Sequence, residues 1–180
     1  MKKYIQVISS ILLLIIICIF LFINISIIKN IKINKKVIDI FNNIFTIQNI
    51  EISNEFINPI IEIDNIDYLG IINIPSNNLL LPIENNCNNF YLDIKSGCKY
   101  LNNSFIILGT NLKDSFYSYK SYNIFDTISF TNTLGKTFEY KINNIKRINN
   151  LNSLSLYNGE LILVIKDYYS LEYTLFICNS

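Results

Sequence analysis

The chain has 180 residues, of which 51% are hydrophobic and 16% charged. Fifteen Lys and Arg against fourteen Asp and Glu leave a net charge of +1, which excludes the basic stripe that a nucleic-acid binder uses to neutralise phosphates. The hydrophobic share excludes a disordered chain, and the absence of His excludes Ser-His-Asp and Cys-His nucleophilic catalysis, His-ligated zinc and imidazole acid/base chemistry.

Ile5 to Ile28 carry no charge, and their polar members, Gln6, Ser9, Ser10, Asn24 and Ser26, sit mostly near the ends. A bilayer core needs about 20 apolar residues in a helix, and this run supplies them. It is too long for a cleavable signal and lacks a small-residue cleavage site. Residues 1–28 are therefore read as a membrane anchor, with Cys18 one of its apolar residues. Lys29, Lys32, Lys35 and Lys36 outweigh Lys2 and Lys3, which favours an inside C-terminal flank, but a large following domain is translocated regardless of charge. Charge alone leaves the orientation open.

Residues 29–58 are read as a helical linker. Val37, Phe41, Ile44 and Gln48 fall on one stripe, with Ile38 and Phe45 beside it, and no Gly or Pro interrupts before Pro59. The stripe either packs on the following domain, which is the expectation, or lies on the membrane surface, and the helix can run on from the anchor.

From residue 59 to 180 short apolar, β-branched and aromatic runs alternate with turn residues, the pattern of a mainly β domain. The expected strands are Tyr68–Ile74, Leu79–Ile83, Phe105–Asn111, Asp126–Asn132, Thr137–Ile148, Glu160–Lys166 and Glu172–Cys178. Pro75 to Asn78 turn the first into the second, Asn132 to Lys136 form a hairpin loop with Gly135, Asn158-Gly159 is a turn, and Asp167–Leu171 close the last hairpin. Cys87–Leu92 and Ser115–Tyr122 are expected as short helical turns, and the Asn-rich stretches 85–89 and 143–152 as loops. Ile and Asn recur so often, with no Ala or Trp and Arg147 as the single Arg, that coding bias colours the composition. Order and spacing therefore weigh more than residue frequency.

That order resembles the sortase family. Tyr68 to Pro75, followed by Leu81-Pro82-Ile83, is similar to the opening G-x-L-x-I-P and L-P-I/V strands. Leu92 to Tyr100 resembles the short helix and strand before the sortase active site. Phe105 to Asn111 matches the strand ending G-H-N, Phe116 and Phe125 to Phe130 follow in place, and Thr137 to Ile142 match F-x-Y-x-V. Glu160 to Lys166 stand where sortases carry D-L-T-L-x-T-C, and Tyr173 to Cys178 where they carry R-x-V-V-x-C. The resemblance implies a sortase-like β-barrel of about seven or eight strands with short helices. It also implies a cysteine transpeptidase that joins surface proteins to the cell wall or to pili.

At the three catalytic positions the sequence departs from that family. Thr110 stands at the His position, Lys166 at the Cys position and Tyr173 at the Arg position, and Ile165 replaces the Thr before the nucleophile. An acyl-enzyme needs an activated nucleophile, a proton donor and charge stabilisation, and none of these is supplied in the family's way. Cys178 lies at the far end of its strand, roughly 17 Å from Lys166, and is read as a core residue. Lys166 is read as a solvated strand-end lysine rather than a nucleophile, and Lys146 and Arg147 as solvated charge. Cys87 and Cys98 are either a disulfide or two unrelated thiols. Asp64, Asp67, Asp114 and Asp126 are scattered surface carboxylates, so no metal or cofactor is expected.

The expected function is that of a membrane-anchored, catalytically inactive pseudo-sortase of the cell envelope, single-pass, with its domain outside the cytoplasm. Its expected partners are the membrane and a sorting-signal-like peptide or surface protein, with no nucleic acid. An active but divergent transpeptidase and an unrelated membrane-anchored β-domain used for binding are the alternatives.

Overall fold

The structure is a computed structural model that describes residues 2–47, 60–85, 97–101, 104–170 and 172–180. Lys2–Ile47 form one uninterrupted helix, α1. No Gly or Pro breaks it, and it is roughly 69 Å long at 1.5 Å per residue. Its first half, from Tyr4 to Phe22, exposes large apolar side chains on every side, whereas a soluble helix keeps them to one stripe. In its second half Val37 and Phe41 are fully buried against Ile63, Tyr68 and Ile71, with Ile33, Ile38, Ile40 and Phe45 partly buried around them. Burying two such side chains is worth about 1.5–3 kcal/mol each. The stripe packs on the domain as expected; Gln48 lies outside the described residues.

Nine strands follow among the described residues: β1 Ile61–Ile63, β2 Ile66–Ile74, β3 Leu79–Glu84, β4 Gly97–Leu101, β5 Ser104–Thr110, β6 Thr127–Asn132, β7 Thr137–Ile148, β8 Leu161–Lys166 and β9 Tyr173–Asn179. The sheet order is β1-β2-β3-β4-β5-β8-β9-β7-β6, and β6 pairs back onto β2. The sheet thus curls toward a barrel but stops short of full closure. Its seam is β3–β4, joined by the single pair Glu84 with Gly97. The strand β1 lies outside the expected set. It makes a tight hairpin with β2 through Asp64 and Asn65, both at positive φ, which these two residue types tolerate because their short polar side chains bond locally.

The expected strands otherwise stand within a residue or two of their predicted bounds. Pro75–Asn77 form a 3-10 turn closed by a left-handed Asn78. In the β6–β7 hairpin the Asn132 carboxamide accepts from the backbone N–H groups of Leu134 and Lys136. Ser115–Tyr122 is a run of turns ending in a 3-10 turn at Tyr119–Ser121. The Asn-rich stretch 143–152 is a loop only in part. Asn143 and Asn144 lie inside β7, where the register shifts by a bulge, and Leu151–Leu156 form a 3-10 helix. Cys87–Leu92 and the Cys87–Cys98 pair lie outside the described residues, because Cys87 does.

The strand β8 explains why its sequence is an unbroken apolar run: both of its faces are covered. Leu161, Leu163 and Ile165 point into the barrel core with Ile107, Ile128, Phe130 and Phe176. Ile162 and Val164 point outward, where Ile106, Leu175 and the 3-10 residues Leu151 and Leu154 cover them. Gly70 sits at φ 153° where β2 passes β6, and a Cβ there would lie 2.1 Å from the Thr131 carbonyl oxygen.

Candidate functional site

The parallel ladder between β5 and β8 places Thr110 beside Lys166, and the antiparallel ladder between β8 and β9 places Lys166 beside Tyr173. Registered partners on neighbouring strands project to the same face. Thr110, Lys166 and Tyr173 therefore share the outer face of the barrel wall. They stand at one edge of the cluster formed by Ile106, Val164 and Leu175. Thr110 and Tyr173 are buried, and Lys166 is partly exposed. The Thr110 hydroxyl accepts from the Leu112 N–H at 3.4 Å, and of the three groups the Lys166 ammonium is the one open to a carbonyl or carboxylate oxygen.

The chain leaving Thr110 folds straight back on itself. The Phe116 N–H donates to the Thr110 carbonyl at 2.8 Å, and the Thr110 N–H donates to the Ser115 hydroxyl at 3.1 Å. Phe116 is fully buried, and its ring occupies the space that a side chain on Gly109 would need: a Cβ there would lie 2.2 Å from the ring. Gly109 is thus required by close packing next to Thr110.

A polar latch closes the same end, and sequence reasoning missed it. Asp167, one residue past β8 and 6% exposed, accepts from the Asn111 carboxamide at 3.0 Å, the Tyr119 hydroxyl at 2.7 Å and the Tyr169 backbone N–H at 2.9 Å. The Lys120 ammonium stands 3.4 Å away. Burial pushes the Asp167 carboxyl up, but the bonds from Tyr119, Tyr169, Ser170 and Lys120 outweigh it and hold the group down at about 2. Burial, and then the Asp167 charge, push the Tyr119 phenol up to about 12. The available signal was local: an Asp directly after an apolar run, able to cap its own turn over Tyr168-Tyr169-Ser170.

Cys178 is registered with Leu161, five positions from the Lys166–Tyr173 pair, and is fully buried. Burial pushes its thiol up to about 12, so it holds no thiolate at neutral pH. Arg147 is nearer the site than its separate strand suggested. It lies on β7 one position from Ile148, the partner of Tyr173, but alternation sends its side chain to the other face, where it is exposed. Asp114 corrects the expectation of scattered surface carboxylates. It is 7% exposed and takes hydrogen bonds from α1, Asn30 Nδ2 to its carboxylate at 2.8 Å and Asn34 Nδ2 to its carbonyl at 3.0 Å.

No protein-family model matches the sequence, and no curated protein matches it. Solved structures do match the fold. Sortase C1 from Streptococcus agalactiae aligns with a TM-score of 0.52 at 20% identity, covering 65% of this chain and 69% of that one. The lid mutant of sortase A from Corynebacterium diphtheriae aligns at 0.51 and 19%, covering 61% and 67%. Sortase C-1 from Actinomyces oris aligns at 0.50 and 18%, covering 80% of this chain and 96% of that one. The chain has a sortase-like fold.

Proposed function

We propose that this chain is a catalytically inactive member of the sortase family that sits in the cell envelope and holds an extended peptide without cutting it. The observation that carries the proposal is the in-register convergence of Thr110, Lys166 and Tyr173 on one face of a sortase-like sheet. By the sequence resemblance these residues stand at the family's His, Cys and Arg positions. With no His in the chain and Cys178 sealed in the core, nothing among the described residues there supplies a thiolate or an imidazole. In other nucleophile–base systems such losses cost about 10⁴–10⁶ in kcat. In this reading α1 is a single-pass anchor and the barrel lies outside the cytoplasm. The face carrying Thr110, Lys166 and Tyr173 accepts a sorting-signal-like segment of a surface protein, the Lys166 ammonium meeting a carbonyl or carboxylate.

The test uses the full chain in nanodiscs and a panel of synthetic sorting-signal peptides. Saturable binding is expected, weakened by Lys166→Glu and leaving the intact protein mass unchanged. A covalent peptide adduct on Lys166 or any Cys would establish an active divergent transpeptidase. Absence of binding across the panel would leave a membrane-anchored β-domain with another role.

A further inference from the structure

The face that α1 turns toward the domain does not start at the end of the apolar run. Ile27, inside that run, is already half-buried, and Asn30, Asn34, Val37, Phe41 and Phe45 continue the same side at helical spacing. Residues 5–28 make about 36 Å of helix, enough to cross a hydrocarbon core of about 30 Å. The bilayer boundary therefore falls next to Lys29. Just beyond it, Asn30 and Asn34 donate to Asp114 of the domain. The far end of the packed segment, Phe45, lies about 22 Å further up the helix, against Gly135 in the β6–β7 hairpin.

Asp114 belongs to the chain segment that follows Thr110, and Asp167 latches that segment to the β8–β9 loop. Both loops thus belong to the end of the domain that meets the start of the packed segment, and both expose aromatic residues. Tyr117 is 54% exposed, Tyr168 46% and Tyr169 87%, with Lys113 and Lys120 exposed among them. Tyrosine side chains with neighbouring lysines suit the headgroup zone, where the ring is half-solvated by lipid and the ammonium meets phosphate.

We propose that the domain docks on the membrane through the loops 111–120 and 167–170, with Tyr117, Tyr168 and Tyr169 lying in the headgroup zone. The occupant of this surface is the lipid bilayer in which α1 sits. The argument is the continuity of one helix from the apolar run into its contact with Asp114. Docking rests on the reading of α1 as a membrane span and goes beyond the peptide-holding role. It places the edge of the Thr110–Lys166–Tyr173 face next to the lipid, so that a peptide still tethered to a membrane segment reaches it.

The chain contains no Trp, so a single introduced Trp reports depth without background. The full chain carrying Phe20→Trp, Tyr169→Trp, Tyr117→Trp or Lys136→Trp is reconstituted into phosphatidylcholine–phosphatidylglycerol vesicles whose acyl chains are brominated close to the headgroups. These substitutions are all at exposed side chains, so folding is retained. Trp at 169 and 117 is expected to lose most of its emission to the bromines, and Trp at 136, in the β6–β7 hairpin, to lose none. Equal, weak quenching at 169, 117 and 136 with strong quenching at 20 would overturn docking while leaving the anchor intact. Absence of quenching at 20 would overturn the anchor and docking together.

Discussion

The strands β8 and β9 form one antiparallel pair with two unlike ends. At the Leu161–Cys178 end both registered side chains lie in the apolar core, and the thiol is held neutral by burial. At the Lys166–Tyr173 end an ammonium, a phenol and the hydroxyl of Thr110 stand in register, and Asp167 gathers donors from three directions. Among the side chains described, the barrel's thiol sits at the end that cannot ionise it, and the charged groups gather at the other end. Chemistry in this fold is a property of the end of the strand pair rather than of the residues it contains.

The sharpest way to break the polar end is to crowd it. Gly109→Ala puts a Cβ into the Phe116 ring, and overpacking of this kind is expected to cost about 3 kcal/mol. Urea unfolding of the chain in nanodiscs, followed by near-UV circular dichroism, checks it. An unchanged midpoint would mean that the turn after Thr110 gives way freely.

Asp167→Asn should follow at roughly 2 kcal/mol, because every tenfold gain in the acidity of a carboxyl on folding is worth about 1.4 kcal/mol of stability. Its folded value near 2 lies below the ordinary 3.8, so the contribution is present above pH 4 and disappears as the pH falls toward 2. The native chain should therefore lose stability steeply over that interval, and the variant should lose less. Parallel acid limbs for the two proteins would show that Asp167 is not held down.

At the apolar end Cys178→Ser buries a hydroxyl beside the Phe176 carbonyl, which the longer thiol reaches at 3.5 Å, and should cost about 1–2 kcal/mol. Followed by peptide mapping, the native Cys178 thiol should stay unreactive toward a maleimide at pH 8 until the chain unfolds; fast labelling of Cys178 in the folded chain would place it outside the core. Smallest of all, Lys166→Met should leave stability within about 0.5 kcal/mol, since the side chain is partly exposed. A large loss in a thermal melt would make Lys166 a structural residue and remove it from the proposed binding face.

The barrel strands were legible because β-branched runs and turn residues alternate along the chain, and tertiary packing agreed with both. Three residues of β1 were too short a run to register. The Asn-rich stretch 143–152 misled because Asn is common throughout this chain, so Asn143 and Asn144 carry little turn information even inside a strand. Thr110, Lys166 and Tyr173 were found only through the resemblance and its spacing. Asp167 and Asp114 were missed because a carboxylate on its own reads as solvated. Their burial depends on donors that lie 48 and 84 positions away in Tyr119 and Asn30.

By itself the sequence determined the periodicities: a long uncharged helix with a stripe at its end, β-strands, turns, and the absence of an imidazole. These are local properties, set by side-chain spacing and by which residue types occur. Only the tertiary structure decided which strand ends meet, which carboxylates are buried, and which end of the barrel lies beside the apolar run of α1. Those outcomes depend on ladder register and on hydrogen bonds between residues far apart in the chain, and pairings of that kind leave no mark on the spacing of either partner.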